Sequence, residues 1–163
     1  MLLIGLKKYR AAINDFNVVI ENNPYNATNY VRRATAMFYL EKYDSSLIDI
    51  NHALHIDPKN SYAYFQRGII YKKQNNEDKA LEDLTKVIEL QPNSSTAYYN
   101  RALIYGGKED LKAALSDYNK VLTLNNKNIL AYFNRAITLQ RLKQTKEARK
   151  DIEKTIELYP DFV

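Results

Sequence analysis

Residues 61–94 read SYAYFQRGIIYKKQNNEDKALEDLTKVIELQPNS, and residues 95–128 read STAYYNRALIYGGKEDLKAALSDYNKVLTLNNKN. The second stretch restates the first position by position: Tyr98 for Tyr64, Arg101 for Arg67, Ala114 for Ala80, Asp117 for Asp83, Val121 for Val87. The same frame extends outward along the whole chain. Pro24, Pro58, Pro92, Asn126 and Pro160 follow one another at a step of 34 residues. A fixed period of that length marks a helical repeat array.

Several columns carry the period. Tyr30, Tyr64, Tyr98 and Tyr132 share one, and Ala34, Gly68, Ala102 and Ala136 another. Ala12, Ser46, Ala80, Ala114 and Ala148 form a second small-residue column, and Phe16, Ile50, Leu84, Tyr118 and Ile152 a large apolar one. Within one period the pattern is that of a helical hairpin. Tyr64, Gly68 and Tyr71 fall on one helix face at i, i+4 and i+7. Gln74-Asn75-Asn76 interrupts it. A second amphipathic stretch, Asp78–Leu90, turns Ala80, Leu81, Leu84, Val87 and Ile88 inward, and Gln91-Pro92 ends it, because a residue before proline disfavours the helical region. Asp44 and Thr145 are expected as N-caps of their second helices. Gly106-Gly107 is expected to end the third unit's first helix early, since each interior glycine costs about 1 kcal/mol.

With these columns the chain resembles the tetratricopeptide repeat family, whose pattern of aromatic, small and proline positions recurs over the same period. The resemblance covers essentially the whole chain. It implies an all-α fold, a right-handed superhelix of stacked hairpins. The units expected are a partial repeat over residues 1–26, then full repeats 27–60, 61–94, 95–128 and 129–162, together one array over 1–163. That gives nine helices of about 12 residues, with a short helical remnant ahead of the first. Met1 falls inside a repeat and no polar capping helix follows the last one, so a fragment of a longer array is expected.

Composition narrows the function. There is no cysteine, which excludes disulfides and thiolate chemistry. No apolar run is long enough to span a bilayer. Met1–Leu6 lacks the basic start and cleavage site of a signal peptide. The compartment stays open, cytoplasmic or periplasmic. The net charge of +5 comes from 24 basic and 19 acidic residues that are interspersed, the mark of a solvated surface rather than a nucleic-acid stripe. No Ser-His-Asp, Cys-His or Gly-rich phosphate signature is present, so no catalytic role and no cofactor is expected. His52 and His55 lie one turn apart with Asp49 a turn earlier, but sister units carry Lys86 and Glu89, or Lys120 and Thr123, at the histidine positions. Those are surface types, and no metal site is expected. Asn26-Ala27-Thr28 and Asn93-Ser94-Ser95 fit the glycosylation sequon, a match that Asn-rich turns produce by chance.

Two columns depart from the family pattern. Arg33, Arg67, Arg101 and Arg135 stand where the family usually has Leu, and Asp15, Asp49, Asp83, Asp117 and Asp151 recur with them. Folding a hairpin about its turn brings Arg67 level with Asp83, and Asp49 of the preceding second helix is also near that level. Either the arginines bind a ligand, or the columns form an internal ladder of ion pairs. Strict register favours the ladder, because charges near a core are normally paired.

A second apolar stripe runs beside the core stripe on the first helices: Val31, Thr35 and Phe38; Phe65 and Ile69; Tyr99 and Leu103; Phe133 and Ile137. A surface helix needs only one such face. In the family, first helices line the concave side, so the resemblance implies an aromatic groove for a peptide or helical segment, with Lys72 at its rim; the alternative is that part of the stripe is buried between adjacent hairpins, and the groove is favoured for Phe65, Tyr99 and Phe133. The clamp by which some members hold acidic chaperone tails does not carry over, because Val31, Thr35, Phe65 and Ile69 stand where its basic and amide residues would be; only Asn100 and Asn134 suit it. The expected function is thus a protein-protein interaction scaffold with a protein or peptide partner. The alternatives are an RNA-binding helical repeat, as in the related pentatricopeptide proteins, and homo-association through the array ends. Nucleic acid is the weaker reading because the candidate positions are apolar.

Overall fold

The computed structural model describes residues 2–160 and, among them, nine helices and no strand. They fall into two compact units, residues 1–90 and 91–163. In the first unit, α1 (Leu2–Asn22) packs on α2 (Ala27–Tyr39), which pairs with α3 (Tyr43–Ile56); α4 (Ser61–Lys73) packs on α3 and touches α2, and pairs with α5 (Glu77–Leu90). In the second, α6 (Ser95–Gly107) pairs with α7 (Leu111–Leu124), α7 packs on α8 (Ile129–Arg141), and α8 pairs with α9 (Thr145–Leu158).

Each hairpin is closed by the same turn. Glu41, Asn75, Glu109 and Lys143 adopt φ of 57°, 57°, 63° and 62°. Two residues can then satisfy the carbonyls at the end of the first helix. The amides of Lys42, Asn76, Asp110 and Gln144 reach back to the carbonyls of Met37, Tyr71, Tyr105 and Leu139 at 2.8–3.0 Å, the six-to-one bond of a Schellman ending. Small residues let the paired helices close up. Ala34, Gly68, Ala102 and Ala136 face Ser46, Ala80, Ala114 and Ala148, and all are buried. Ser46 Oγ donates to the Ala34 carbonyl at 2.8 Å. A Cβ on Gly68 would lie 3.4 Å from Asp83 Cβ and Leu84 Cγ, which is why the column tolerates nothing large.

Three local expectations are corrected. The leading helix has no separate remnant: α1 runs unbroken through Lys7, the position equivalent to Glu41 and Asn75. The stretch ahead of Lys7 is under two turns long, too short to stand as an independent helix. Asp44 and Thr145 are not N-caps. The caps are Lys42 and Gln144, whose carbonyls take the Ser46 and Ala148 amides, so Asp44 and Thr145 lie inside the first turn. There Asp44 complements the helix dipole and accepts from Gln74 Nε2 at 3.3 Å. True side-chain caps are Asn26, Asn60, Asp110 and Asn128. Finally, α6 does not end early. It reaches Gly107 with 13 residues, as long as α2, α4 and α8. Pairing with α7 outweighs the glycine cost, and Arg141 Nη1 donates to the Gly106 carbonyl at 3.1 Å.

Candidate functional site

The recurring frame of each hairpin positions its first helix through one arginine. Arg33, Arg67, Arg101 and Arg135 each grip the aspartate sixteen residues on, Asp49, Asp83, Asp117 and Asp151, through two hydrogen bonds of 2.6–2.9 Å. The aspartates are buried. The free Nη1 of Arg33, Arg67 and Arg135 donates to Asn17, Asn51 and Asn119 on the preceding second helix, at 2.7–2.8 Å. Each guanidinium also lies over the tyrosine one turn earlier, 5.4–5.6 Å from the ring centres of Tyr30, Tyr64, Tyr98 and Tyr132. The partner on the preceding helix is therefore an asparagine, not the Asp49 level considered for Arg67. Asp15 stands outside the ladder: it is exposed, with no arginine opposite it among the described residues.

With donors and acceptors matched in this way, the arginines have few hydrogen bonds left to offer a ligand. Burial pushes the Asp83 carboxyl above the ordinary carboxylate range, and the Arg67 hydrogen bonds only partly offset it. Hydrogen bonding to Asp83 raises Arg67 in turn. Among the described residues there is no group of three side chains able to hold a metal.

What remains open is one face of each first helix. Positions 28, 32, 35 and 39 and their equivalents share it, at i, i+4, i+7 and i+11. On α4 it carries Tyr62, Gln66, Ile69 and Lys73; on α8 it carries Leu130, Asn134, Ile137 and Arg141. Tyr62 and Leu130 are each 50% exposed and Ile137 42%. On α2 the face carries Arg32, Thr35 and Tyr39, and on α6 Thr96, Asn100 and Leu103.

The apolar stripe read from sequence is rotated from this face by roughly 60°, at 100° per residue. Val31 is 1% exposed and belongs to the core of the first unit, so it lines no groove. Its β-branched side chain is small enough to be enclosed where the sister positions hold rings. Phe38 is half-buried against that core, with its ring 5.7 Å from Tyr43. Phe65, Tyr99 and Phe133 are half-buried. Tyr99 packs edge-on to buried Tyr118 at 6.1 Å and accepts from Asn134 Nδ2 at 3.0 Å. Burial raises both phenols, with the Asn134 bond opposing it at Tyr99. Thr35, Ile69, Leu103 and Ile137 are common to the stripe and the open face. Lys72 is half-buried, and burial together with Lys73 holds its ammonium below the usual lysine range.

Sequence reasoning missed Tyr62, Leu130 and Tyr39. Their columns do not repeat as apolar: Tyr62 and Leu130 alternate with Thr28 and Thr96. A search for columns alike in every unit passes over them. In the first unit Tyr62, Arg32, Thr35 and Ala36 join Tyr9, Ala12 and Phe16 of α1 around a recess of about 270 Å3. Tyr9 also stacks on Tyr39, ring centres 4.6 Å apart and planes within 10°. Arg32, unlike Arg33, is exposed and turns to solvent beside this apolar recess.

Tetratricopeptide repeat profiles match residues 61–94, 95–128 and 129–162. The chain belongs to the tetratricopeptide repeat family. Solved structures share its all-α solenoid fold. A crystal structure of MamA superposes with a TM-score of 0.85 at 19% identity, covering 92% of this chain and 88% of that one. MamA 41-end from Desulfovibrio magneticus RS-1 gives 0.82 at 19% identity over 97% of each chain. A tetratricopeptide repeat protein from Parabacteroides merdae ATCC 43184 gives 0.84 at 23% identity, over 94% of this chain and 61% of that one. No curated protein matches the chain. Tetratricopeptide arrays are scaffolds for protein-protein interaction and assembly, in general without enzymatic activity, and this chain is a scaffold of that class with protein partners. No helix among the described residues is long and apolar enough to cross a membrane.

Proposed function

We propose that the chain binds a peptide or helical segment of a partner protein on the open faces of its first helices, α2 and α4 in one unit and α6 and α8 in the other. The observation that supports this is large apolar side chains left in water on helices whose cores are already complete: Tyr62 on α4, Leu130 and Ile137 on α8, with half-buried Ile69 beside Tyr62 on the same face. Truncating a few such anchors typically removes most of an interface's energy. Phe65, Tyr99 and Phe133, half-buried beneath, give these faces an aromatic floor, with Leu103 beside it. Lys72 and Lys73 add positive charge at the end of α4, and Arg32 at the Tyr9–Tyr39 recess, which favours segments with acidic flanks and gives binding some salt dependence. An acidic chaperone tail fits poorly, because Asn100 and Asn134 are committed to the carbonyls of Thr96 and Leu130. Changing Tyr62, Ile69, Leu130 and Ile137 to Ser tests the proposal. Binding should be lost while helicity and melting persist. Retained binding would move the site elsewhere.

Homo-association is a second reading, supported by Val18 and Val19 exposed on α1 and by an open recess of about 230 Å3 between α8 and α9, lined by Ala136, Ile137, Ala148 and Ile152. Sedimentation over a concentration series distinguishes it: a strict monomer removes it.

A further inference from the structure

The hairpins carry the same arginine frame but complete it differently. In the α4–α5 hairpin, Arg67 is held by Asp83 and Asn51, and Tyr71, one turn further along α4, lies against this frame with Lys79 Nζ 5.4 Å from its ring centre. In the α8–α9 hairpin, Arg135 is held by Asp151 and Asn119 in the same way. The position of Tyr71 is taken by Leu139, and that of Lys79 by Glu147. In the α6–α7 hairpin Tyr105 occupies the position, and Arg101 lies 5.6 Å from Tyr98 and 5.8 Å from Tyr105, between two rings; in the α2–α3 hairpin the position holds Met37. Among the described residues, Arg135 lies over Tyr132 alone.

Leucine does not fill the space of a phenol ring. A recess of about 330 Å3 stands there, lined by Leu115, Asn119, Arg135, Leu139, Gln144, Glu147, Lys150 and Asp151. It is within the size range of small-ligand pockets, roughly 300–1,000 Å3. Its floor is apolar through Leu115 and Leu139, and one wall is the guanidinium of Arg135. Glu147 and Gln144 at its edge can each accept a hydrogen bond. Arg135 and Leu139 lie on the side of α8 opposite Ile137, by the 100° step of the helix. The recess is therefore separate from the face proposed above.

We infer that this recess is a docking site for a tyrosine side chain of a partner protein. The ring takes the place that Tyr71 and Tyr105 hold in the sister hairpins, stacked on the Arg135 guanidinium over Leu115 and Leu139. The phenol O–H donates to Glu147 or Gln144. Opposite charges balance around the recess, Arg135 and Lys150 against Asp151 and Glu147, which suits a neutral phenol and disfavours a phosphorylated one.

The test uses the unmodified chain and p-cresol, the side-chain analogue of tyrosine, followed by amide NMR. Saturable shifts centred on Leu139, Glu147 and Lys150 are expected, with weaker ones from 4-methylanisole, which keeps the ring and lacks the O–H. Leu139→Tyr restores the sister residue and should abolish the shifts while circular dichroism stays helical; Ile137→Ser, on the opposite face, should leave them intact. Shifts centred elsewhere in the native chain, no saturable shift, equal binding of 4-methylanisole, or shifts that persist in folded Leu139→Tyr would each overturn the assignment. The first two outcomes are read on the native chain and hold even if the variant does not fold.

Discussion

Replacing Arg67 with leucine removes one cation and strands one carboxylate. Asp83 is 4% exposed and takes both hydrogen bonds of the pair from Arg67, each 2.8 Å. Breaking a buried pair from one side costs about 3–5 kcal/mol. The Arg67 side chain is 22% exposed, so water entering the vacated space recovers part of that; about 2–4 kcal/mol is expected. For a chain of this size that is a drop in melting temperature of about 5–15 °C. Asn51, exposed, can turn to water at little cost. The loss should depend on pH with a definite sign. Burial already holds the Asp83 carboxyl above its ordinary range, and without Arg67 it rises further. A carboxyl whose folded value exceeds its unfolded one favours folding when protonated, and that contribution is lost as pH rises through the folded value. The penalty of Arg67→Leu is thus greatest at neutral pH and shrinks on acidification. The double change to leucine at Arg67 and Asp83 should recover most of it, because apolar replacement of a buried pair is often neutral or better. Urea denaturation followed by far-UV circular dichroism at neutral and acidic pH measures all three. An unchanged midpoint for Arg67→Leu, or a penalty equal at both pH values, would refute the reasoning.

Other expectations are smaller in scale. Asn60→Ala removes the side chain that accepts from the Ala63 amide at 3.0 Å and should cost about 1 kcal/mol in the same denaturation assay. Gly106→Ala should stabilise by about 0.5–1 kcal/mol, because a Cβ there meets nothing within 4 Å and the residue is helical. Ser46→Ala leaves the Ala34 carbonyl without its hydroxyl donor in a buried contact and should cost about 1 kcal/mol, read as a shifted urea midpoint.

Helix number and hairpin order were legible because they rest on columns that repeat in every unit: the small residues at Gly68 and Ala80, the turn at Asn75, the proline at 92. The ion pair of Arg67 with Asp83 could be anticipated for the same reason, but the tyrosine under each guanidinium could not. Tyr64 and Tyr98 read from sequence only as a repeating column, and only the geometry shows that the ring also carries the cation. Local ends were read less well. Asp44 is a good cap by type, yet the turn geometry set by Glu41 starts the helix earlier. Gly106-Gly107 is a poor helix by propensity, and tertiary pairing overrides it. The open face is offset from the stripe read in the sequence because it is the part of the repeat that does not repeat. Tyr62 and Leu130 have threonines as sister residues, while Val31, which has aromatic sisters, is buried.

The most direct test of the scaffold's binding face is selection of peptides from a random library on the folded chain, followed by an NMR footprint of the best binder. Peptides anchored by apolar or aromatic residues are expected, with shifts on Tyr62, Ile69, Leu130 and Ile137 and loss of binding in the serine variant that keeps its helicity. A footprint on the second helices α3, α5, α7 or α9, or binding unaffected by those four substitutions, would contradict the account.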